Sequence, residues 1–161
     1  MMKIDFLDPN LKWVDIYRAV KSLNSGWLVH GKYGNLFEKE LARHLGKEDA
    51  FLTSSCTASF EISLMLGNIE KGDEVITSPI SWVSMSNSII ARGAIPIFCD
   101  VDRNDYLLDT AQVESKITSR TKAILVTHLY GQMADMQFFN NLGKKYGVLI
   151  IEDAAHALES L

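Results

Sequence analysis

Two acidic residues and a histidine directly follow the most apolar run near the end of the chain. Residues 148–151 are all apolar, which is typical of a strand buried on both faces, and Glu152, Asp153 and His156 come next. A carboxylate at the end of a buried strand is costly unless a positive group meets it. Asp153 therefore predicts a cationic partner, such as the protonated ring nitrogen of a bound cofactor. On this motif alone, the simpler alternative is that Glu152 or Asp153 caps a following alanine-rich helix.

A second group of small polar residues lies earlier, at residues 54–58, where the sequence reads Ser-Ser-Cys-Thr-Ala. It stands between a predicted strand and a predicted helix, so its backbone amides point outward at the positive end of the helix. Such a turn can hold a phosphate without the usual glycines. Ser55 acting as an ordinary helix N-cap accounts for the same residues without any ligand.

Two further side chains follow predicted strands. Trp82 comes shortly after a strand that ends at Thr77, where its indole could cover the face of a planar ligand or pack into the core. His128 ends another strand and is open to four interpretations: an acid, a base, a ring-stacking group or a hydrogen-bonded structural residue. A metal site formed by His128, Asp153 and His156 is a further option, although the spacing is not diagnostic.

Together these features predict a flat, phosphorylated cation as ligand. Amides would bind the phosphate, an aromatic ring would cover one face, and an acid would meet a protonated ring nitrogen. Pyridoxal 5'-phosphate fits this description better than a nucleotide does. NAD or ATP would call for a glycine-rich turn, and neither G-x-G-x-x-G nor G-x-x-x-x-G-K-[ST] occurs.

The elements that must position these residues form a regular alternation from residue 49 onward. Apolar runs typical of buried strands alternate with stretches of helical period, which predicts an α/β fold in three layers, a mainly parallel sheet with helices on both faces. Ligands of such sheets bind beyond the carboxyl ends of the strands. The predicted strands are residues 50–52, 75–76, 95–98, 123–126 and 148–151, and the predicted helices are residues 11–23, 36–45, 57–66, 136–146 and a segment beginning at Asp109.

The composition is that of an ordinary globular protein. The chain has 161 residues, 47% hydrophobic and 22% charged, enough for one sizeable core. A net charge of -4 gives no electrostatic case for nucleic acid or for an anionic membrane surface. Cys56 and Cys99 have neither metal-ligand nor disulfide spacing, and no stretch is long and apolar enough for a bilayer span. These features predict a cytoplasmic protein without nucleic-acid or membrane partners.

Several ordered motifs resemble the DegT/DnrJ family of sugar aminotransferases, which are fold-type-I pyridoxal-phosphate enzymes acting on keto sugars carried by nucleotides. The resemblance spans essentially the whole chain. The matching segments are residues 25–27, 31–32, 37–38, 72–76, 93–97, 100–102, 121–124, 128–135 and 152–157.

The resemblance implies a role for each candidate residue. Asp153 would pair with the pyridine nitrogen, and His156 would contact the ring hydroxyl. Trp82 would stack on the ring, while Thr57 and Ala58 would hold the phosphate through their amides, with Ser55 in the same turn. Cys56 stands where the family usually has glycine, which leaves the backbone path of this turn open, because glycine reaches conformations that cysteine avoids.

The resemblance also implies that the Schiff-base lysine lies downstream of residues 152–157, and no lysine of this sequence stands at the matching place. Residues 1–161 would then be one truncated portion of the cofactor-binding large domain, without the small C-terminal domain and inactive alone. Expected partners are a nucleotide sugar and an amino-acid donor, with a homodimer for the full-length fold. The alternatives are a non-catalytic remnant or split-gene product, and a sugar dehydratase relative.

Overall fold

Four of the five predicted strands are present in the computed structural model, which describes residues 9–158 and residue 160. They form one sheet in the order β2-β1-β3-β4, in which every neighbouring pair is parallel. This confirms the predicted parallel sheet. The strands are β1 (Glu74–Thr77), β2 (Ile95–Phe98), β3 (Thr121–Thr127) and β4 (Leu149–Asp153).

The strand predicted at residues 50–52 is wrong. This segment has no regular structure, and the side chain of Phe51 is 81% exposed. A strand forms when a neighbouring strand pairs with its backbone groups. Here the amide of Leu52 instead donates to the carboxylate of Glu38 at 2.8 Å, so this part of the chain makes a side-chain contact in place of a strand ladder.

The chain divides after Leu52 into two units, and the first contains two helices. Helix α1 spans Trp13–Asn24 and α2 spans Lys32–His44. The prediction placed the start of the second helix four residues too late, because the glycine at position 34 suggested a loop. The prediction of a single domain over residues 1–161 stays a prediction.

The second unit, from Thr53 onward, contains the sheet and four helices: α3 (Cys56–Leu66), α4 (Ser84–Ala91), α5 (Thr110–Val113) and α6 (Met136–Tyr146). Helix α4 was not predicted, because its serines and asparagine obscure the apolar period. The helix beginning at Asp109 is only one turn long before a 3-10 turn at Glu114–Lys116. Helix α6 begins at the cap Asp135 and ends at Gly147, whose left-handed backbone favours glycine.

Each face of the sheet has its own hydrophobic core. Ala123 and Leu125 of β3 face the cluster that includes α3 and α4, whereas Ile124 and Val126 face the cluster that includes α5 and α6. This alternation follows from the two-residue period of a strand, and it makes β3 buried on both sides. The three-layer arrangement is therefore the predicted one.

One buried acid lies at the amino end of the sheet. Glu74, the first residue of β1, is 2% exposed and accepts hydrogen bonds from the Thr118 hydroxyl and from the Arg120 guanidinium. These contacts, with that of Thr118 the larger, hold the pKa of Glu74 below its ordinary value. Its charge is thus paired far from the carboxyl ends of the strands.

None of the helices within residues 9–158 combines the length and the apolar character that crossing a membrane requires.

Candidate functional site

The carboxyl ends of three neighbouring strands bring polar residues to one edge of the sheet. Thr77 ends β1, Thr127 ends β3, and Asp153 ends β4. Thr127 and Asp153 lie directly opposite each other in the parallel pair of β3 and β4. In open sheets of this kind ligands bind at this edge, so the site is built from here.

Asp153 is buried at this edge, with 7% of its surface exposed. Its carbonyl accepts the amide of His128 at 3.0 Å, which continues the ladder, and its Oδ1 accepts the amide of Ala155 at 3.1 Å. Residues 154–158 form turns, so the alternative of a helix capped by Asp153 is wrong. Within residues 53–158, no lysine, arginine or histidine forms an ion pair with this carboxylate.

The start of α3 is closed by a serine cap. The Oγ of Ser55 accepts the amide of Ala58 at 3.1 Å, so the N-cap interpretation of Ser55 is confirmed. Thr53 contributes a second bond, from its hydroxyl to the carbonyl of Ser55 at 3.0 Å. Of the three amides in this turn, those of Cys56 and Thr57 have no acceptor within the helix and the amide of Ala58 is used.

Cys56 connects this turn to Asp153. Cys56 is the first residue of α3. The pKa of its thiol is raised, mainly because partial burial removes water from around the thiol and secondly by the negative charge of Asp153. A charge acts in this way only when it lies close to the thiol. The Asp153 carboxylate therefore lies close enough to the start of α3 to act on this thiol, although the two lie far apart in the sequence.

Trp82 lies in the segment that connects β1 with α4. Its side chain is 73% exposed, so the alternative in which this indole packs into the core is wrong. The backbone is fixed, because the carbonyl of Trp82 accepts the amide of Met85 at 3.1 Å at the beginning of α4. An exposed indole on an ordered segment has a face available to a planar ligand.

His128 is a buried structural residue. Its Nδ1 accepts the amide of Ala134 at 3.1 Å, which places the proton of the neutral ring on Nε2, and Nε2 lies 3.2 Å from Oε2 of Glu152. Both ring nitrogens are therefore engaged. Among the four interpretations, the geometry favours the hydrogen-bonded structural one.

His156 lies three residues beyond Asp153 and is exposed. Its ring stacks on Tyr130, with 5.7 Å between the ring centroids and 6° between the planes. Reasoning from the sequence did not single out Tyr130. Tyr130 has a left-handed backbone, with φ 51° and ψ 33°. The sequence signal for an unusual turn here was its position directly before Gly131, shortly after the end of β3.

A metal site at this edge lacks the necessary ligands. Within the described part of the chain, no three His, Cys, Asp or Glu residues lie close enough together to hold a metal ion. His128, the first residue of the metal alternative, has both nitrogens occupied.

Comparison with known proteins links this chain to one family. The model of the DegT/DnrJ/EryC1/StrS aminotransferase family matches residues 11–161. The spore coat polysaccharide biosynthesis protein SpsC of Bacillus subtilis (strain 168) is 40% identical over 144 residues, which are 89% of this chain and 37% of that protein.

The solved structures of two relatives contain the same fold. The aminotransferase TlmJ from Streptoalloteichus hindustanus superposes with a TM-score of 0.87 at 34% identity, covering 97% of this chain and 43% of that one. NtdA from Bacillus subtilis, with bound cofactor PMP, superposes with a TM-score of 0.83 at 34% identity, covering 88% and 33%. The chain thus spans less than half the length of each of these relatives.

Proposed function

This chain belongs to the DegT/DnrJ/EryC1/StrS aminotransferase family, and we propose that its second unit carries the cofactor-binding part of a pyridoxal-phosphate-dependent sugar aminotransferase. The substrate would be a nucleotide-linked keto sugar, converted to an amino sugar for polysaccharide biosynthesis with an amino acid as donor. The observation that carries this proposal is the buried carboxylate of Asp153, with which no cationic side chain pairs among residues 53–158.

Asp153 would hold the pyridine nitrogen in its protonated form. One oxygen already accepts the amide of Ala155, which fixes the carboxylate and leaves the other oxygen for a donor. A buried carboxylate favours a charged donor, because an opposite charge offsets the free energy lost when the group leaves water. When bound, pyridoxal phosphate supplies the electron sink for amino transfer, and a protonated ring nitrogen strengthens that sink.

Ser55, Thr57 and Ala58 would bind the phosphate. The amide of Thr57 lies in the first turn of α3, where the positive end of the helix favours an anion. The amide of Ala58 is bonded to Ser55 Oγ, so phosphate binding requires that hydroxyl to turn and donate to a phosphate oxygen, which releases the Ala58 amide as a second donor.

Trp82 and His156 would contact the ring of the cofactor. The exposed indole of Trp82 offers an apolar face that excludes water from one side of the ring. The imidazole of His156, three residues after Asp153, can donate a hydrogen bond to the ring hydroxyl or accept one from it.

No lysine of residues 1–161 is proposed as the Schiff-base residue. Lys145, the last lysine in the sequence, lies on α6 and its Nζ is 2.7 Å from Oε1 of Glu114. This contact and the nearby Tyr146 hydroxyl raise the pKa of Lys145, which keeps it protonated and disfavours nucleophilic attack. We further propose a homodimer and a cytoplasmic location, the latter because both Cys56 and Cys99 are free thiols.

Equilibrium dialysis with pyridoxamine phosphate tests the proposal, because this probe lacks the aldehyde that reacts with surface lysines. Asp153→Asn removes the charge while keeping the shape, and we expect binding to weaken about tenfold to a hundredfold, the effect of one charged hydrogen bond. The matched control is Asp135→Asn, because asparagine caps α6 as well as aspartate does. Equal affinity of Asp153→Asn and the unsubstituted chain would refute the role of Asp153.

Borohydride reduction in the presence of pyridoxal phosphate tests the lysine assignment separately. We expect the chain to give no stoichiometric adduct on a single lysine, as read by mass spectrometry of its peptides. A specific reduced adduct on one lysine would show that the Schiff-base residue lies within residues 1–161.

A further inference from the structure

We propose that Tyr130 is a positioning residue that fixes the orientation of the His156 imidazole toward the cofactor ring. This inference rests on the proposed function, because it gives His156 the cofactor as its target. Its basis is the parallel stack of the two rings, with centroids 5.7 Å apart and planes 6° apart. A stacked ring restricts rotation of the imidazole, so the hydrogen-bonding edge of His156 keeps one direction.

The backbone of Tyr130 is arranged for this contact against its own conformational preference. Tyr130 has a left-handed backbone, which an aromatic residue rarely adopts and which glycine adopts freely. Its side chain is also exposed, so burial does not repay the strain. Strain of this kind persists where the surrounding structure fixes it, and it clusters at functional sites.

The surrounding structure does fix the turn that carries Tyr130. His128, at the start of the turn, is anchored by the Ala134 amide on one ring nitrogen and by Glu152 on the other. At its far end, Gln132 donates its side-chain amide to the carbonyl of Asp105 at 3.2 Å. The turn is thus held at both ends, which supports the left-handed backbone of Tyr130 between them.

The same turn lies against the backbone of the segment that carries His156. A Cβ at Gly131 would come within 3.4 Å of the carbonyl oxygen of His156. The amide of His128 also bonds to the carbonyl of Asp153 at 3.0 Å. These backbone contacts hold the turn that carries Tyr130 at a set distance from the segment that carries Asp153 and His156. Such an arrangement suits Asp153 and His156 if both must contact one ligand.

Glycine and phenylalanine variants separate positioning from a merely structural role. Tyr130→Gly relieves the strain of the left-handed backbone, so we expect its thermal midpoint to equal or exceed that of the unsubstituted chain. The same change removes the ring, so we expect its affinity for pyridoxamine phosphate to fall about twofold to tenfold, the effect of an aromatic pair. Tyr130→Phe keeps the ring and should keep the affinity. The matched control is Tyr106→Gly, at another exposed tyrosine with a left-handed backbone, which should leave the affinity unchanged.

Nuclear magnetic resonance reads the orientation of His156 without any cofactor. The chain has four histidines, so the carbon-bound ring protons give few signals, and the signal lost in His156→Gln identifies His156. We expect Tyr130→Gly to move this signal downfield by removing the ring current, and Tyr130→Phe to leave it nearly in place. An unmoved signal in Tyr130→Gly would overturn the stack.

A double-mutant cycle tests whether Tyr130 acts through His156. We expect Tyr130→Gly to cause no further loss of affinity when His156 is already glutamine. An equal further loss in that background, or a full affinity in Tyr130→Gly alone, would overturn the inference while leaving the proposed function intact. Failure of the unsubstituted chain to bind pyridoxamine phosphate would instead overturn the proposed function, and this inference with it.

Discussion

Replacing Leu64 with alanine tests the orientation of α3, on which the position of the turn at residues 55–58 depends. Leu64 is fully buried in the core between α3, α4 and the sheet, whereas Leu66 on the same helix is 79% exposed. Leucine and alanine have similar helix propensities, so the comparison of the two positions isolates packing. Comparing the stabilities of Leu64→Ala and Leu66→Ala therefore shows which face of α3 contacts the sheet.

The expected magnitude follows from the carbons removed. Leu64→Ala deletes three buried carbons at about 0.8 kcal/mol each, and the unfilled space adds about 1 kcal/mol, so the free energy of unfolding should fall by about 3 kcal/mol. For a chain of this length that lowers the thermal midpoint by about 6 to 12 °C. Leu66→Ala should change the free energy of unfolding by less than about 0.5 kcal/mol.

Urea unfolding followed by circular dichroism measures both variants under identical conditions. Equal m-values would show that the comparison is one of stability alone. If Leu66→Ala were as destabilising as Leu64→Ala, α3 would present a different face to the sheet. The position of the turn at residues 55–58 relative to the sheet would then differ from the one described above.

Three further predictions concern the ends of the sheet and the turn at α3. Contacts with Thr118 and Arg120 hold the pKa of Glu74 below its ordinary value of 4.5, so its contribution to stability is present above that pH and is lost as the pH falls through the lowered pKa. Glu74→Gln should remove this loss of stability in urea titrations from pH 7 to 3. The control is Glu61→Gln, at an exposed position. Because the negative charge of Asp153 raises the pKa of Cys56, Asp153→Asn should speed alkylation of Cys56 by iodoacetamide at pH 8, and an unchanged rate would contradict their proximity. Ser55→Ala should cost about 1 kcal/mol in unfolding free energy and Ser55→Asp much less, since aspartate also caps a helix.

The alternation of strands and helices was readable from the sequence because most of these elements have a local signal. Apolar runs identify β1 to β4, and the cap Ser55 identifies where α3 begins. The strand predicted at residues 50–52 failed because a strand needs a partner, and no local pattern says whether one is present. Helix α4 was missed because its small polar residues hide the period.

Some features of the candidate site were likewise predictable from the sequence, and others were not. The acid Asp153 at the carboxyl end of β4, the indole Trp82 after β1 and the capping role of Ser55 were predictable from the sequence. The left-handed backbone of Tyr130 and the double hydrogen bonding of His128 were not predictable, since each depends on neighbours that the strand order supplies.

The sequence by itself therefore determined the class of fold, the family and the list of groups that could bind a phosphorylated cation, because those depend on residue types and short spacings. Only the tertiary structure decided that no cationic side chain among residues 53–158 pairs with Asp153, that the charge of Asp153 raises the pKa of Cys56, and that Tyr130 stacks on His156. The last two facts join residues that are widely separated in the sequence. Electrostatic and ring contacts act over a few ångströms, and the packing of the sheet and its helices sets those distances.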